Sequence, residues 1–329
     1  MPLVTADEIR DNIASTVRET QIGSLILSFM NLAGMEIHNA SAWTWLRRKQ
    51  TFATVVSQED YNLDSEIDRI ALLRQRSTPR KLSHVPDHLF YKLVPNPEDR
   101  STGPPRYYRL WEETGFSTNL AAADTIYVSS SSASDGSSFT VRVVGRNSSG
   151  EVVAETLTLN GTSSVTSTTT FAASGLIAIS KSAATTGTIT CYRTTGATVL
   201  SELEPDNLTP RYKRLSLYPI PSSAITMSLE YYERYRYLIH DTDVPQLDSK
   251  WTWVLREGAL AKTWEYKQNE TAAAMHQAIF DRGLKLMREQ DEANQDYILV
   301  LQPRIWESST IRRESDSVSD AYPSYSLVV

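Results

Sequence analysis

The stretch from Asp248 to Gln295 constrains this chain most, because it is the longest segment whose apolar residues recur at helical rather than strand spacing. Asp248 stands where an N-cap belongs, its carboxylate able to accept from the orphan amides of a first turn. Trp251, Val254, Leu255, Gly258 and Ala261 then trace an apolar stripe, predicting a helix to about Lys267. Gln268, Asn269 and Glu270 interrupt it. Met275, Ile279, Phe280, Leu284 and Met287 resume the same period. Two long helices joined by a short polar turn predict an antiparallel helical hairpin. Its small residues (Gly258, Ala259, Ala261, Ala272 to Ala274) allow close approach, and so much apolar face needs a partner to bury it.

The totals exclude several classes. A net charge of -6 over 329 residues opposes a protein that holds nucleic acid by neutralising phosphates over its whole surface. A single cysteine, Cys191, leaves no intrachain disulfide and no thiolate cage for a metal. No basic-then-apolar leader is seen at the start, and no apolar run approaches the roughly 20 residues of a membrane span, so a soluble intracellular product with no membrane partner is expected.

Along the chain, Thr5 with Glu8 makes a capping box. An apolar series from Ile9 through Leu32 predicts one or two helices over Ala6 to about Leu46, with Gly23 and Gly34 as breaks. The series closes on Trp43 and Trp45, with Arg47, Arg48 and Lys49 read as last-turn cations that oppose the helix dipole. From Gln50 the period becomes two, and strands are expected at Phe52 to Val56, Tyr61 to Leu63, Ile67 to Leu73 and Tyr107 to Trp111. Prolines from Pro79 to Pro105 punctuate the stretch before the last of these, leaving room for a helical turn or two at Asp87 to Leu93.

At about Thr114 the composition shifts to Ser, Thr, Gly, Ala and Val, and stays so to about Leu200. Strands are expected at Thr125 to Ser129, Ser138 to Val144, Val152 to Leu159, Thr168 to Phe171, Leu176 to Ser180 and Thr188 to Tyr192, making a small antiparallel β-sandwich. After Pro205 the charged, aromatic style returns, with a strand pair at Arg214 to Tyr218 and Ile225 to Leu238. The sandwich therefore reads as inserted into one parent β-region. Three parts follow: a discontinuous core at 1–113 and 201–301, an insert at 114–200, and an extended tail at 302–329 with neither period nor capping logic.

No catalytic motif emerges: there is no phosphate-binding glycine loop, no HExxH and no GxSxG elbow. His84 and His88 have the spacing of a metal pair, but Pro86 between them opposes the helix that would align them, and no metal or other cofactor is expected. Asp241 and Asp243 read as a turn before Asp248. In the run Glu230 to Tyr237, Arg234 and Arg236 interleave with tyrosines and could clamp a single strand. The acidic total favours a strand packed on its neighbours.

An ordered set of short motifs carries a resemblance. Glu36-Ile37, Trp43-Thr-Trp45-Leu46, Thr51 to Val55, Tyr61-Asn-Leu63 with Ile67, Gly103-Pro-Pro105 with Tyr107, Leu217 to Pro221, Tyr231-Tyr232, and Trp253 to Ala261 together resemble the head-to-tail adaptor proteins of tailed bacteriophages. The resemblance covers about the first hundred residues and Arg211 to about Met287. It implies an α+β chain: an antiparallel helical bundle with a small β-region, an inserted immunoglobulin-like sandwich and an extended C-terminal tail. It further implies a non-enzymatic virion protein at the head-tail junction, a homo-oligomeric ring of twelve copies beneath the portal protein. Such a ring would meet the next tail component (nozzle, tail tube or fibre) and pass genomic DNA through its lumen without specific binding. Adaptors of this kind dock to the portal by a C-terminal extension, whose anchors here would be Trp306, Ile311, Tyr322 and Tyr325. Bundle core and subunit packing fall to Trp43, Trp45, Trp251, Leu255, Trp264, Ile279 and Phe280. Two other classes stay open at this stage: a carbohydrate-binding or fibre-attachment module centred on the sandwich, and a cell-wall hydrolase.

Overall fold

The computed structural model describes residues 4–18, 22–78, 80–93 and 101–306, the last fifteen for their backbone alone. In chain order the elements are α1 (Ala6–Val17), α2 (Gly23–Ala40), β1 (Arg47–Ala53), β2 (Asp60–Asn62), β3 (Ile67–Gln75) and β4 (Ser83–His84). There follow α3 (Asp87–Leu93), β5 (Thr102–Gly103), β6 (Tyr107–Thr114), β7 (Ile126–Ser130), β8 (Thr140–Asn147), β9 (Val152–Thr158) and β10 (Val165–Thr166). The last are β11 (Phe171–Lys181), β12 (Ile189–Arg193), β13 (Val199–Leu203), β14 (Tyr212–Tyr218), β15 (Ile220–Pro221), β16 (Thr226–Glu233), α4 (Thr252–Tyr266) and α5 (Glu270–Trp306). The fold is mixed, 30% helix and 34% strand, as the α+β expectation requires. Two compact units divide the chain, one from residues 1–45 and 240–329, the other from 46–239.

The first unit is helical, and α4 is its centre, packed by α1, α2 and α5. Val254, Leu255, Gly258, Ala259, Leu260 and Ala261 of α4 are all buried, as are Glu257 and Thr263, so the helix is enclosed by its neighbours. Gly258 lets three helices converge: a Cβ there would lie 2.7 Å from the Phe280 ring of α5 and 2.9 Å from Ala33 Cβ of α2. The capping box of Thr5 and Glu8 opens α1. Arg18, in the left-handed region at φ 55°, closes it with its N–H on the carbonyls of Ala14 and Ser15. The break therefore falls between Val17 and Gly23, whereas Gly34, expected as a second break, is buried inside α2. Asp248 accepts from Lys250 N and caps a short 3₁₀ turn, Ser249–Trp251, before α4. The second helix of the hairpin does not stop near Gln295: α5 continues to Trp306, so the expected tail begins in helix.

Among the described residues the second unit holds two large apolar cores and a smaller cluster of Val85 and Phe90 with Tyr107 and Tyr218. Around the first, the sheet β1-β16-β3 and the sheet β2-β14-β6-β4 contribute Leu73, Met227 and Leu229 on one side and Tyr61, Tyr108, Leu215 and Leu217 on the other. Arg47, Arg48 and Lys49 open β1 instead of closing a helix. The strand expected at Phe52 to Val56 thus starts five residues earlier and ends at Ala53; Arg47 to Lys49 are all exposed on this edge strand, so no alternation marks them, and charge there guards an open edge. The segment expected as one strand over Ile225 to Leu238 ends at Glu233, and β16 pairs with β1 and β3, not with β14. Its arginines are engaged by carboxylates: Arg234 is bidentate on Asp206 at 2.7 and 2.9 Å, and Arg236 pairs with Glu66 and Glu233.

Around the second core lie the sheets β10-β7-β12-β13 and β11-β8-β9, whose inward residues Ile126, Val128, Val141, Val143, Ile179, Ile189 and Cys191 are fully buried. The strand expected at Leu176 to Ser180 is part of the longer β11, which crosses two register irregularities against β8, whereas of the strand expected at Thr168 to Phe171 only Phe171 belongs to it. A strand missed by the sequence, β13, pairs with β12 and buries Leu200 and Leu203, so the boundary expected at Leu200 cuts through it. The chain leaves β6 at Thr114 and returns on β14 at Tyr212, and these two residues sit directly opposite one another in antiparallel register.

Candidate functional site

Two surfaces and one clamp stand out. In the helical unit Trp43 is fully buried, donates Nε1–H to the carbonyl of Ile37 at 2.6 Å and stacks on Trp45 with ring centroids 4.5 Å apart. Asp291, buried on α5, grips the residue between them: its carboxylate accepts from Thr44 N at 3.2 Å and from Thr44 Oγ1. The carboxylate thereby ties the short 3₁₀ turn Thr44–Leu46 to α5. Across the hairpin, His276 Nδ1 lies 2.7 Å from the buried carboxylate of Glu257, which Arg256 also meets.

The expected core residues divide. Trp43, Leu255 and Phe280 are buried; Trp45, Trp251 and Trp264 are half-buried, the Trp264 indole N–H enclosed without an acceptor. Ile279 is not core. Phe280 takes the inward position against Gly258, and one residue of helical rotation, about 100°, turns Ile279 out. Met275 (56% exposed), Ile279 (37%) and Leu286 (42%) consequently face outward on one side of α5, with exposed Arg282 among them. Of the expected docking anchors, Trp306 is the last residue of α5, while Ile311, Tyr322 and Tyr325 lie outside the described residues.

The second surface is in the β unit and was not singled out from the sequence. On β6 and β14 the register slips so that Arg214 faces Glu112 and Leu215 faces Leu110, leaving Trp111 as the extra residue of a bulge. Bulges re-aim side chains, and this one presents an indole that is 41% exposed. The Arg109 guanidinium lies 4.3 Å from the Phe90 ring centroid, 5.8 Å from that of Tyr91 and 5.4 Å from that of Trp111; Arg214 lies 5.2 Å from Trp111. Trp111 Nε1–H reaches Asp60 at 3.4 Å, Arg214 pairs with Glu112 at 2.6 Å, and Arg109 lies 3.8 Å from Asp87. Both guanidiniums keep a buried Nε–H without an acceptor. The readable signal was Arg109 and Trp111 two apart on one strand face, but Phe90 and Tyr91 join them only through the packing of α3 on β6.

Nothing in the described residues makes a metal centre: no group of three or more potential ligands converges, and His84 stacks on Tyr108 instead, with centroids 5.2 Å apart. A cavity of about 480 Å³ between β1 and β2 is lined by Gln50, Phe52, Asp60, Asn62, Asp64 and Asn119. Cys191 is enclosed, and burial pushes its thiol up to about 12, which removes it as a nucleophile. No described helix is long and apolar enough to cross a membrane.

Residues 141–301, just under half of the 329, match the family model described as SU10 adaptor protein. The match supports a phage adaptor protein, a structural component of the virion that meets other head or tail proteins. No curated protein matches the chain. Two solved structures, of infectious bursal disease virus Gt strain and Gx strain, align with 71% and 69% of this chain at 8% and 9% identity. The aligned part is 55% and 50% of their own chains, so this chain spans about half their length, and a TM-score of 0.11 for each carries no argument about fold.

Proposed function

We propose that this protein is a head-to-tail connector: a non-enzymatic ring, of twelve copies, seated beneath the portal and continuing the DNA channel toward the next tail component. The observation that carries this reading is the adaptor match over residues 141–301, which runs from β8 through the whole of α4 and deep into α5. The outward stripe of Met275, Ile279 and Leu286 supports it, since exposed apolar residues aligned on one face of a long helix mark an interaction surface. In this reading the four helices form the bundle at the core of the subunit, and the seven strands from β7 to β13 form an immunoglobulin-like insert that ring closure does not need. Backbone from Gln302 onward docks on the portal, with Trp306, Ile311, Tyr322 and Tyr325 as anchors. The bore is neutral or acidic, so DNA passes without being held.

A mass measurement and negative-stain images, taken with and without a portal ring, test the reading. A ring-sized species that caps the portal is expected; a monomer that ignores the portal overturns it. Truncation after Leu301 is expected to leave a folded protein that no longer binds portal. Unchanged binding would remove the docking role from the C-terminal segment alone.

A further inference from the structure

The chain passes from the parent sheets to the inserted sandwich after Thr114 and returns between Leu203 and Tyr212, and two β regions joined only by such crossings move against each other by default. Here both crossings are tied down on both sides. On the way out, Gly115 lies so close to β11 that a Cβ would fall 3.2 Å from Ala178 Cα. Ser117 donates N–H and Oγ–H to the Leu200 carbonyl at 2.7 and 3.1 Å, while Asn62 of β2 donates to the carbonyl of Ser117. On the way back, Tyr212 Oη accepts from Glu202 N at 2.8 Å and donates to the Glu202 carbonyl at 2.9 Å.

The return crossing is also gripped by one cation from each side. From the sandwich, the enclosed Lys181 of β11 donates its ammonium to Thr185 Oγ1 at 2.8 Å and to the carbonyls of Glu204 and Pro205 at 2.6 and 2.8 Å, three donors for three acceptors. Its backbone N–H reaches the Leu208 carbonyl at 2.9 Å, and Thr185 N–H reaches that of Pro205 at 3.1 Å. From the parent side, Arg234, just past β16, forks onto both oxygens of Asp206, whose side chain is 9% exposed, and Tyr237 N–H adds a third bond at 3.0 Å. Arg234 is fixed in turn, its backbone N–H on the Glu66 carbonyl at 2.8 Å. A planar fork on a carboxylate sets direction as well as distance. The crossing contains no glycine, and Pro205 and Pro210 stiffen it, the reverse of a slack linker.

We propose that Glu204 to Leu208 is a latched joint: Lys181 and Arg234 pull on one strap from opposite sides and hold the sandwich at a single angle on the parent sheets, with Asp206 as the latch. Once the Asp206–Arg234 pair is removed, the sandwich swings on its crossings while both β regions stay folded, because each has its own core. The joint works within one copy, whatever ring the copies build. A contact made at the far end of the sandwich is passed to β6 and β14 instead of being absorbed in slack chain.

Spin labels at Thr51→Cys on β1 and Val152→Cys on β9, both exposed, read the distance between parent sheet and sandwich in the full chain. The labelled chain is diluted into excess unlabelled chain so that only distances within one copy count, and the enclosed native Cys191 takes no label. Double electron–electron resonance is expected to give one narrow distance, and Asp206→Ala to broaden it roughly two-fold. Because that variant leaves Arg234 as an unpaired buried charge and can unfold the unit, Asp206→Ala with Arg234→Ala removes the pair as a whole. The double variant is expected to keep a cooperative melt and to show the same broadening. A broad distribution with the pair intact overturns the proposal, and so does a narrow one in the folded double variant.

Discussion

At the scale of single residues, the sharpest constraint is Gly258. A methyl at this position collides with the enclosed Phe280 ring and with Ala33, neither of which has space to yield. Overpacking costs about 1–3 kcal/mol and outweighs the roughly 1 kcal/mol that alanine gains over glycine in a helix. Gly258→Ala is therefore expected to destabilise the helical unit by up to about 2 kcal/mol in a denaturant titration. Cys191 gives a second expectation: the native protein should not react with a thiol reagent, and reaction should appear only with unfolding. Lys181 gives a third. Its ammonium, buried against Thr185 Oγ1 and the carbonyls of Glu204 and Pro205, is pushed by desolvation down to about 8 from an ordinary 10.5, although Asp206, Asp135 and Glu204 hold it up and Arg234 opposes them. A depressed folded value means the unfolded chain binds the proton more tightly, so the contribution of Lys181 to stability grows as pH rises from about 8 to 10.5 and is lost as pH falls through 8. Melting curves across that window should show a rise that Lys181→Met flattens.

Elements show what the sequence made legible and why the rest was hidden. Buried strands such as β8, with Val141 and Val143 inward, and the hairpin of α4 and α5 betray themselves because one face meets a core and the period records it. Arg47 to Lys49 misled because β1 is exposed on both faces, and three polar residues after a tryptophan suit a helix end as well as an edge strand. Ile279 and Phe280 are adjacent and equally apolar; only the hole left by Gly258 across the helix pair decides which one turns inward. The Trp111 surface was illegible for another reason: a bulge is a mismatch between two strands, and β14 lies about a hundred residues further along the chain. The structure also moves the cut for an excision experiment. Removing residues 115–211 and bridging Thr114 to Tyr212 with a short turn is expected to leave the remaining sheets and the helical unit folded, as judged by a cooperative melt. A cut at Leu200 would strand half of β13 and expose Leu203.

For the whole molecule, the pairing of Thr114 with Tyr212 reaches furthest. To the sheet that contains β6 and β14, everything between them stands in the place of a hairpin turn. Closing a loop of that length in place of a four-residue one costs about 3 kcal/mol of chain entropy if the loop is slack, since the cost grows only with the logarithm of length. A loop that has already folded, with its two ends side by side, removes the penalty altogether. The order of events during folding then follows: the seven strands from β7 to β13 condense first, and β6 zips to β14 afterwards. Pulse-labelled amide exchange should find β8 and β12 protected before β14. The segment also touches the rest of its unit away from its ends, where Arg234 is bidentate on Asp206 and Asn62 donates to the Ser117 carbonyl, so anything spliced between Thr114 and Tyr212 must keep its ends side by side and leave Arg234 a carboxylate.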